Sequence, residues 1–267
     1  MANLEAFNRQ KACRHGEMLY NVHDLQVGRA LDLYGEYSEG EIELFRHIVQ
    51  PNATVVEVGA NIGAHTVFLA KQVSPGGFVV AFEPQRILFQ TMCANLALNS
   101  ISNVYCFMQA VGAQRGSIVV PALDPTRPSN FGRSPLSSNT SGEQVPLCRL
   151  DDLNLPACQF LKVDVEGMEK EVLEGAQGTI ARCQPVLYVA NEKADKADAL
   201  VRFVDGLDYR MFWHRPPYFS ASNFFGDLRN VFPNAVSLNM VCFHHSVGLN
   251  LQGLEPVEMR PAGPTAP

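Results

Sequence analysis

Short apolar runs separated by longer amphipathic stretches form the pattern of this 267-residue chain. Seven runs rich in β-branched and other apolar residues predict strands, several of them buried on both faces of a sheet. These runs lie at residues 54–58, 78–82, 104–108, 160–165, 185–190, 209–213 and 240–243. Between them, apolar residues recur at helical spacing over 65–71, over 85–99, up to about residue 182 and over 197–204. Strands that alternate with helices predict an α/β fold with a mostly parallel sheet.

A further helix is predicted just before the first strand. Ser38 precedes a helical pattern and Glu41 follows three residues later, as in a capping box. Ile42, Phe45 and Val49 then occupy one face of a helix that ends before the proline at position 51. This helix leads the chain into the first strand.

The remaining segments lack regular spacing and divide the chain. Residues 1–38 form an N-terminal extension, in which apolar positions between Leu25 and Leu33 indicate a short hairpin or strand. Residues 39–250 form the main domain, with an extra strand at 117–120 and irregular loops at 121–146 and 214–236. The first loop, which contains Asn130, Phe131 and Gly132, is either a substrate loop or disordered. Residues 251–267 carry four prolines and are predicted to be a disordered tail.

The turn after the first strand carries the main chemical signal. Gly59, Ala60, Asn61 and Gly63 form a Gly-rich loop between a strand and a helix, which is typical of nucleotide-binding α/β folds. A dinucleotide site requires a middle glycine where Asn61 stands, and the carboxylate of Glu57 repels phosphate but attracts a cation. S-adenosylmethionine (SAM) has an ammonium and a sulfonium and no phosphate, so it fits this loop. Ordinary turn glycines in an unrelated α/β protein are the alternative.

The ends of the next two strands add candidate cofactor residues. Glu83, followed by Pro84, ends the second strand 24 residues after Gly59, close to the spacing of an acid that holds ribose hydroxyls. Ala110 leaves room for a flat adenine at the end of the third strand, and Gln109 has an amide that suits its edge. The alternative for Glu83 is a solvated residue at a strand end.

Three motifs in this order resemble the FkbM family of SAM-dependent methyltransferases. They are VVEVGANIGAHT (55–66), VVAFEPQ (79–85) and LKVDVEGMEKEVLEGA (161–176), with weaker similarity in EYSEGE (36–41) and VSLNMVCF (236–243). The resemblance implies a Rossmann-like, seven-stranded class I methyltransferase sheet, mostly parallel with an antiparallel last strand. It also implies methyl transfer from SAM to a hydroxyl oxygen of a sugar, glycan or natural product. Family members often carry Asp at Glu57 and an acid at Ala190, so these two positions depart from the pattern.

Methyl transfer to a hydroxyl needs alignment and a base that removes the proton. Asp164, at the end of the fourth strand, is the first candidate, Glu166 is the second, and His214 and His65 are weaker ones. Asp164 has the alternative roles of orienting the methionine part of SAM or capping the next helix. No metal site is predicted, although Asp164, Asn191 and Glu192 at adjacent strand ends are possible Mg²⁺ ligands.

Composition limits the remaining classes of function. A net charge of −6 without a basic run argues against a nucleic-acid partner, and no apolar run reaches the length of a membrane span. The seven scattered cysteines indicate reduced thiols and a cytoplasmic location. The predicted partner is a small-molecule or glycan acceptor, and a homodimer is an alternative to a monomer. An NAD(P)-dependent oxidoreductase and a catalytically silent SAM-binding module remain the alternatives.

Overall fold

A computed structural model of the chain describes residues 6–133, 141–248 and 253–258. The strands are β1 (Asn8–Cys13), β2 (Gly16–Asn21), β3 (Thr54–Val58), β4 (Phe78–Phe82), β5 (Val104–Phe107), β6 (Ala110–Val111), β7 (Gly116–Val120), β8 (Glu143–Cys148), β9 (Phe160–Val163), β10 (Val186–Ala190), β11 (Tyr209–His214), β12 (Asn239–His244) and β13 (Glu255–Pro256). The helices are α1 (Val27–Tyr34), α2 (Glu39–Ile48), α3 (Ala64–Gln72), α4 (Arg86–Leu98), α5 (Glu169–Glu174), α6 (Gln177–Cys183) and α7 (Ala194–Asp205), with a 3-10 turn at Leu150–Leu153.

The central sheet has the strand order β13-β11-β12-β10-β9-β3-β4-β5. The pairs among β5, β4, β3, β9 and β10 are parallel, whereas β12 runs antiparallel to both β10 and β11. All seven predicted strands are present, and the predicted Rossmann-like class I methyltransferase sheet with an antiparallel last strand is confirmed. The strand order reverses between β3 and β9, and ligands of open α/β sheets bind at that point, beyond the carboxyl ends of the strands.

Buried apolar side chains cover both faces of this sheet. Val55 and Val79 face one layer together with Phe45 from α2 and Leu69 from α3. On the other face, β-strand residues such as Leu161 pack against α5, α6 and α7. Both faces of a parallel sheet therefore lie in the core, which is why its strands read as continuous apolar runs.

The N-terminal extension packs onto the main domain instead of standing apart from it. β1 and β2 form a hairpin, and the side chains of Asn95 on α4 and of Asn99, directly after that helix, bond to the backbone of β2. The expectation of a hairpin or strand between Leu25 and Leu33 is wrong, because those positions lie on or next to helix α1. Val27, Ala30, Leu31 and Tyr34 form the buried face of that helix at helical spacing.

The start of α2 also differs from the expected capping box. Ser38 adopts a left-handed conformation with φ of 49°, and its side chain makes no capping bond to the backbone. Its hydroxyl instead donates to the carboxylate of Glu41 at 2.9 Å. The two residues therefore pair with each other, and Glu41 turns toward the interior.

A small second sheet, β6-β8-β7, lies beside the main one. The predicted extra strand is β7, and the predicted irregular loop ends in β8, which pairs antiparallel with β7. Residues 134–140 of that loop lie outside the described residues. In the predicted tail, Glu255 and Pro256 pair with β11, so the expectation of disorder does not apply to them, while 251–252 and 259–267 lie outside the described part. Within the described residues, no helix combines the length and the apolar character that a membrane span requires.

Candidate active site

An open cleft lies at the carboxyl ends of β3, β4 and β9, with about 1070 Å³ of empty space that includes open solvent. The Gly-rich loop after β3 forms its floor, and the segments around residues 37, 130–133, 164–166 and 218 form its walls. The cleft thus stands where the order of the strands reverses.

The backbone of the Gly-rich loop packs closely against the ends of the two neighbouring strands. Gly59 has φ of +86°, and a Cβ at this position would lie only 1.9 Å from the carbonyl oxygen of Asp164. The amides of Gly59 and Ala60 both donate to the carbonyl of Phe82 at 3.0 Å. Glycine is required at position 59 because both its conformation and the neighbouring strand end exclude a side chain.

Glu83 ties the end of β4 to this loop. Its carboxylate accepts hydrogen bonds from the backbone amides of Asn61 and Gln85, each at 2.8 Å. Burial raises the pKa of Glu83 to about 7, although these two amides and Lys162 oppose the shift. Glu83 and the neighbouring Pro84 both line the cleft, as do Gly59, Ala60 and Asn61.

A buried lysine joins two of the predicted acids. Lys162 is 2% exposed, and its Nζ lies 3.5 Å from Oε1 of Glu57 and 3.3 Å from Oδ2 of Asp164. Thr66 donates a further hydrogen bond to Glu57 at 2.6 Å. The two carboxylates raise the pKa of Lys162 against the effect of burial, so this lysine is charged. Glu57 is therefore balanced mainly by the protein itself, while Asp164 is half-exposed in the cleft.

The other acids at the rim of the cleft are also paired. Glu166 lies 2.9 Å from Nζ of Lys193, and Glu192 lies 2.7 Å from a guanidinium nitrogen of Arg133. The side chain of Asn191 is buried against the sulfur of Met240 at 3.5 Å. In the described part of the chain, no three His, Cys, Asp or Glu side chains are grouped as metal ligands. These pairings lend no support to the Mg²⁺ alternative at Asp164, Asn191 and Glu192.

Two tyrosines and residues 130–133, from the irregular loop at 121–146, also line the cleft. Tyr37 and Tyr218 stack with their ring centroids 5.9 Å apart and their planes 17° from parallel. Asn130 and Gly132 lie across from them, while Phe131 is 2% exposed and packs into the main core. The segment 130–132 thus belongs to the cleft, as expected of a substrate loop, and is anchored by Phe131.

Comparison with known proteins decides the family. The sequence model described as "Methyltransferase FkbM domain" matches residues 57–232, which is about two thirds of the chain. The chain belongs to the FkbM methyltransferase family. S-adenosylmethionine is its cofactor, and the NAD(P)-dependent alternative has no support from this match.

Individual proteins similar to this chain include two curated methyltransferases and one solved structure. Methyltransferase 1 of Beauveria bassiana (strain ARSEF 2860) is 31% identical over 143 residues, covering 45% of this chain and 57% of that protein. Methyltransferase sdnD of Sordaria araneosa is 28% identical over 158 residues, covering 46% and 60%. The crystal structure of an FkbM methyltransferase from Methylobacillus flagellatus KT is 17% identical and covers 75% of this chain and 50% of its own, with a TM-score of 0.49. The chain thus spans less than two thirds of the length of the curated relatives it matches.

The residues of the cleft fit the cofactor of the FkbM family. Carboxylates outnumber cationic side chains along its lining, which suits a ligand that carries an ammonium and a sulfonium. Gly59, Ala60 and Asn61 of the loop line the cleft, and Glu83 has carboxylate lone pairs beyond the two that its backbone amide partners use. The loop and Glu83 are the parts of the cleft that would hold SAM.

Three of the predicted site residues lie elsewhere. Gln109 and Ala110 are not part of the described lining of the cleft, because the chain turns there into β6 and Ala110 packs against Val120 and Val145 in the small sheet. His214, at the end of β11, bonds to the hydroxyl of Tyr188 at 2.9 Å and also lies outside that lining. His214 therefore does not line the cleft as described, whereas Asp164 and Glu166 do.

Several residues of the cleft had no role in the sequence prediction. They are Lys162, Tyr37, Tyr218, Ser237 and Asn239, with Glu41 buried directly behind the last two. His65, a weaker candidate for the base, lines the cleft and is 5% exposed. Lys162 had a detectable signal, since a lysine within a run of buried apolar residues requires a charged partner. The others are loop, helix or strand-end residues whose neighbours depend on the packing.

Proposed function

We propose that this protein is an O-methyltransferase that transfers the methyl group of SAM to a hydroxyl of a sugar, glycan or hydroxylated natural product. The observation that carries this proposal is the position of Asp164. Its backbone contacts Gly59 in the Gly-rich loop. Its half-exposed carboxylate lines the cleft together with Tyr37 and Tyr218. A carboxylate base between a cofactor loop and an aromatic wall suits a hydroxylated ring as the acceptor.

The chemistry assigns separate tasks to cofactor and protein. SAM supplies a methyl group that its sulfonium already activates for in-line displacement. The protein has to align the acceptor oxygen, which is a matter of proximity and orientation, and to remove its proton. Asp164 would take that proton, while Lys162 holds its carboxylate in place. Tyr37 and Tyr218 offer ring faces on which the apolar face of a sugar or polyketide ring packs.

The experiment that tests this function is a product analysis. Purified protein is incubated with isotope-labelled SAM and acceptor sets of free sugars, oligosaccharides, hydroxylated natural products and primary amines. We expect a methylated product whose label is on oxygen, and none from the amine set. Methylation on nitrogen or carbon would contradict the proposal. A protein that binds SAM tightly but labels no member of any set would favour the catalytically silent module.

Glu83 provides the prediction for cofactor binding. Glu83→Ala should weaken SAM binding by about 1.5–3 kcal/mol, the usual range for hydrogen bonds to a charged group. Part of this loss would come from the amides of Asn61 and Gln85, which lose their acceptor, and Glu83→Gln is the matched control because it keeps one acceptor oxygen. Calorimetry on both folded variants measures the effect. An unchanged dissociation constant in Glu83→Ala would remove Glu83 from the cofactor site.

The raised pKa of Glu83 adds a pH dependence. A carboxyl that titrates at about 7 when folded and near 4.5 when unfolded binds its proton more tightly in the native state. The free energy of unfolding of the cofactor-free protein should therefore fall as the pH rises from about 4.5 to about 7. Since the ionised form accepts more hydrogen bonds, SAM binding should tighten from about pH 6 to about pH 8.

Glu83→Gln isolates this effect. Burial also raises the pKa values of Glu41 and Glu169 to about 7, and both residues remain in the variant. The SAM affinities of the wild type and the variant are therefore compared at each pH. The wild type should show the steeper increase in SAM affinity. Equal pH dependence in both proteins would show that Glu83 does not titrate on binding.

A further inference from the structure

A carboxylate that does not itself line the cleft determines how one wall of the cleft presents its polar atoms. Glu41 is 3% exposed, and its Oε1 accepts hydrogen bonds from the hydroxyls of Ser38 and Ser237 and from Nδ2 of Asn239 at 3.2 Å. Burial raises the pKa of Glu41 to about 7, and Asp164 adds to that shift while Lys162 opposes it. Above this pH the ionised carboxylate can only accept hydrogen bonds.

This carboxylate fixes the orientation of the amide of Asn239. One proton of Nδ2 goes to Glu41, and the other goes to the hydroxyl of Tyr188 at 2.9 Å. The Tyr188 hydroxyl bonds in turn to Nδ1 of His214, whose pKa burial lowers, so the neutral ring accepts this bond. The reverse orientation of the amide would set Oδ1 against an anionic oxygen, where the two would repel. Oδ1 of Asn239 is thus the atom left over for a ligand.

Two other side chains at the same side of the cleft, Ser237 and His65, also present hydrogen-bond acceptors. The hydroxyl of Ser237 donates its single proton to Glu41, so it can only accept hydrogen bonds from other partners. Nδ1 of His65 faces Oε2 of Glu41 at 4.0 Å, and Nε2 is buried without a hydrogen-bond partner among the described residues. Burial, Lys162 and His15 hold the pKa of His65 well below its usual value, so the ring is neutral. With a proton on the nitrogen that faces Glu41, Nε2 also carries a lone pair.

We propose that Ser237, Asn239 and His65 form an acceptor-only wall that recognises a polyhydroxylated methyl acceptor through hydrogen bonds donated by its hydroxyls, and that Glu41 is the positioning residue that sets this polarity. The inference rests on the proposed function and narrows its substrate class. The half-exposed carboxylate of Asp164 lines the same cleft and also accepts hydrogen bonds. A molecule with several hydroxyls satisfies such a site, whereas its fully methylated counterpart has no proton to donate.

Two weak sequence signals acquire a shared physical role in this arrangement. Glu41 ends the segment 36–41, and Ser237 and Asn239 belong to the segment 236–243, about 200 positions further along the chain. Neither segment contains an element of the cofactor loop. The hydrogen bonds of Glu41 to Ser237 and Asn239 bring the two segments together at the cleft.

The test uses probes that differ only in their ability to donate hydrogen bonds. The probes are methyl α-glucopyranoside, methyl α-mannopyranoside and myo-inositol, each paired with its fully O-methylated derivative. Binding to the full chain loaded with S-adenosylhomocysteine is measured by ligand-observed NMR and calorimetry at about pH 8, where Glu41 is ionised. We expect at least one hydroxylated probe to bind about 10-fold or more tightly than its methylated partner, the equivalent of one to two lost hydrogen bonds.

Variants then assign the effect to Glu41. Glu41→Gln keeps the shape but brings an amide that donates, and it should weaken the hydroxylated probe by about 10-fold while SAM affinity stays within about 2-fold. Ser38→Ala is the matched control, because Ser38 bonds to the same oxygen of Glu41 but is not part of the described lining. It should leave probe binding nearly unchanged. If Glu41→Gln does not fold, Ser237→Ala tests the wall directly, with an expected loss of about 3- to 10-fold.

Several results would overturn the inference. They are equal binding of a probe and its methylated derivative, no binding of any hydroxylated probe, unchanged probe affinity in folded Glu41→Gln, and equal losses in Glu41→Gln and Ser38→Ala. Each of these outcomes leaves SAM binding intact, so the proposed methyltransferase function survives it. Absence of SAM binding in the wild type would instead contradict the proposed function itself.

Discussion

Asp164→Asn is expected to lower kcat by roughly 100-fold or more, the lower end of what a positioned base contributes. The amide cannot take the acceptor proton, but its oxygen can still accept the hydrogen bond that Lys162 now donates at 3.3 Å. The shape of the cleft and the alignment of the acceptor should therefore persist and supply the residual activity. The measurement is kcat with the acceptor identified by product analysis, together with calorimetric titration of SAM.

The controls separate the roles that Asp164 can play. Glu166→Gln is the matched variant, since Glu166 lines the same cleft but is already paired with Lys193, and it should affect kcat much less. A loss in SAM affinity instead of kcat would show that Asp164 orients the cofactor. Loss of wild-type activity with chelator and its return with Mg²⁺ would show a metal role. Near-normal kcat in Asp164→Asn would move the search to Glu166.

The fold could be predicted where burial leaves a simple pattern. β3 and β4 lie inside a parallel sheet with both faces covered, so each reads as a short apolar run that ends in a turn. The N-terminal region failed because Val27, Leu31 and Tyr34 are spaced as on a helix face, while Leu25 and Leu33 mimic the spacing of a strand. In β13, two residues pair only because the edge of β11 is available, and two residues have no periodicity to detect.

The site could be predicted where topology alone brings residues together. Gly59, Glu83 and Asp164 each follow the end of a parallel strand, and adjacent parallel strands end at one edge. Being near a strand end does not set the direction of a side chain, since successive residues point to opposite faces. The side chain of His214 accordingly bonds to Tyr188, while Ala110 lies outside the described lining because the chain turns there into β6. Glu41 could not be found, because its contact with Ser237 depends on how α2 packs against the start of β12.

The pairing of Lys162 with Glu57 is a further contact that could be predicted from the sequence. Each is the one charged residue within a buried strand, and the register of β3 and β9 sets them directly opposite each other. Charged residues are almost never buried unless paired, so two such strands indicate each other as neighbours. Lys162 also contacts Asp164, so the same lysine stabilises the sheet and positions the carboxylate of the proposed base.

Lys162→Met should therefore destabilise the protein by about 3–5 kcal/mol, the usual cost of removing one partner of a buried ion pair. Methionine has a similar length and fills the space, but Glu57 would keep its buried charge with only the hydrogen bond from Thr66. The free energy of unfolding from urea titration at about pH 8 measures the effect. Because burial raises the pKa of Glu57, the loss should shrink at lower pH, where that carboxyl becomes protonated.

The matched control for Lys162→Met is the double variant with Glu57→Gln. Removing both charges leaves no uncompensated ion, so the double variant should be more stable than Lys162→Met alone, even though it has lost one more native residue. The same double variant should still lower kcat, because Asp164 would lack the lysine that holds its carboxylate. A double variant no more stable than Lys162→Met would show that the lysine acts through packing. In that case its two carboxylate neighbours would not depend on its charge.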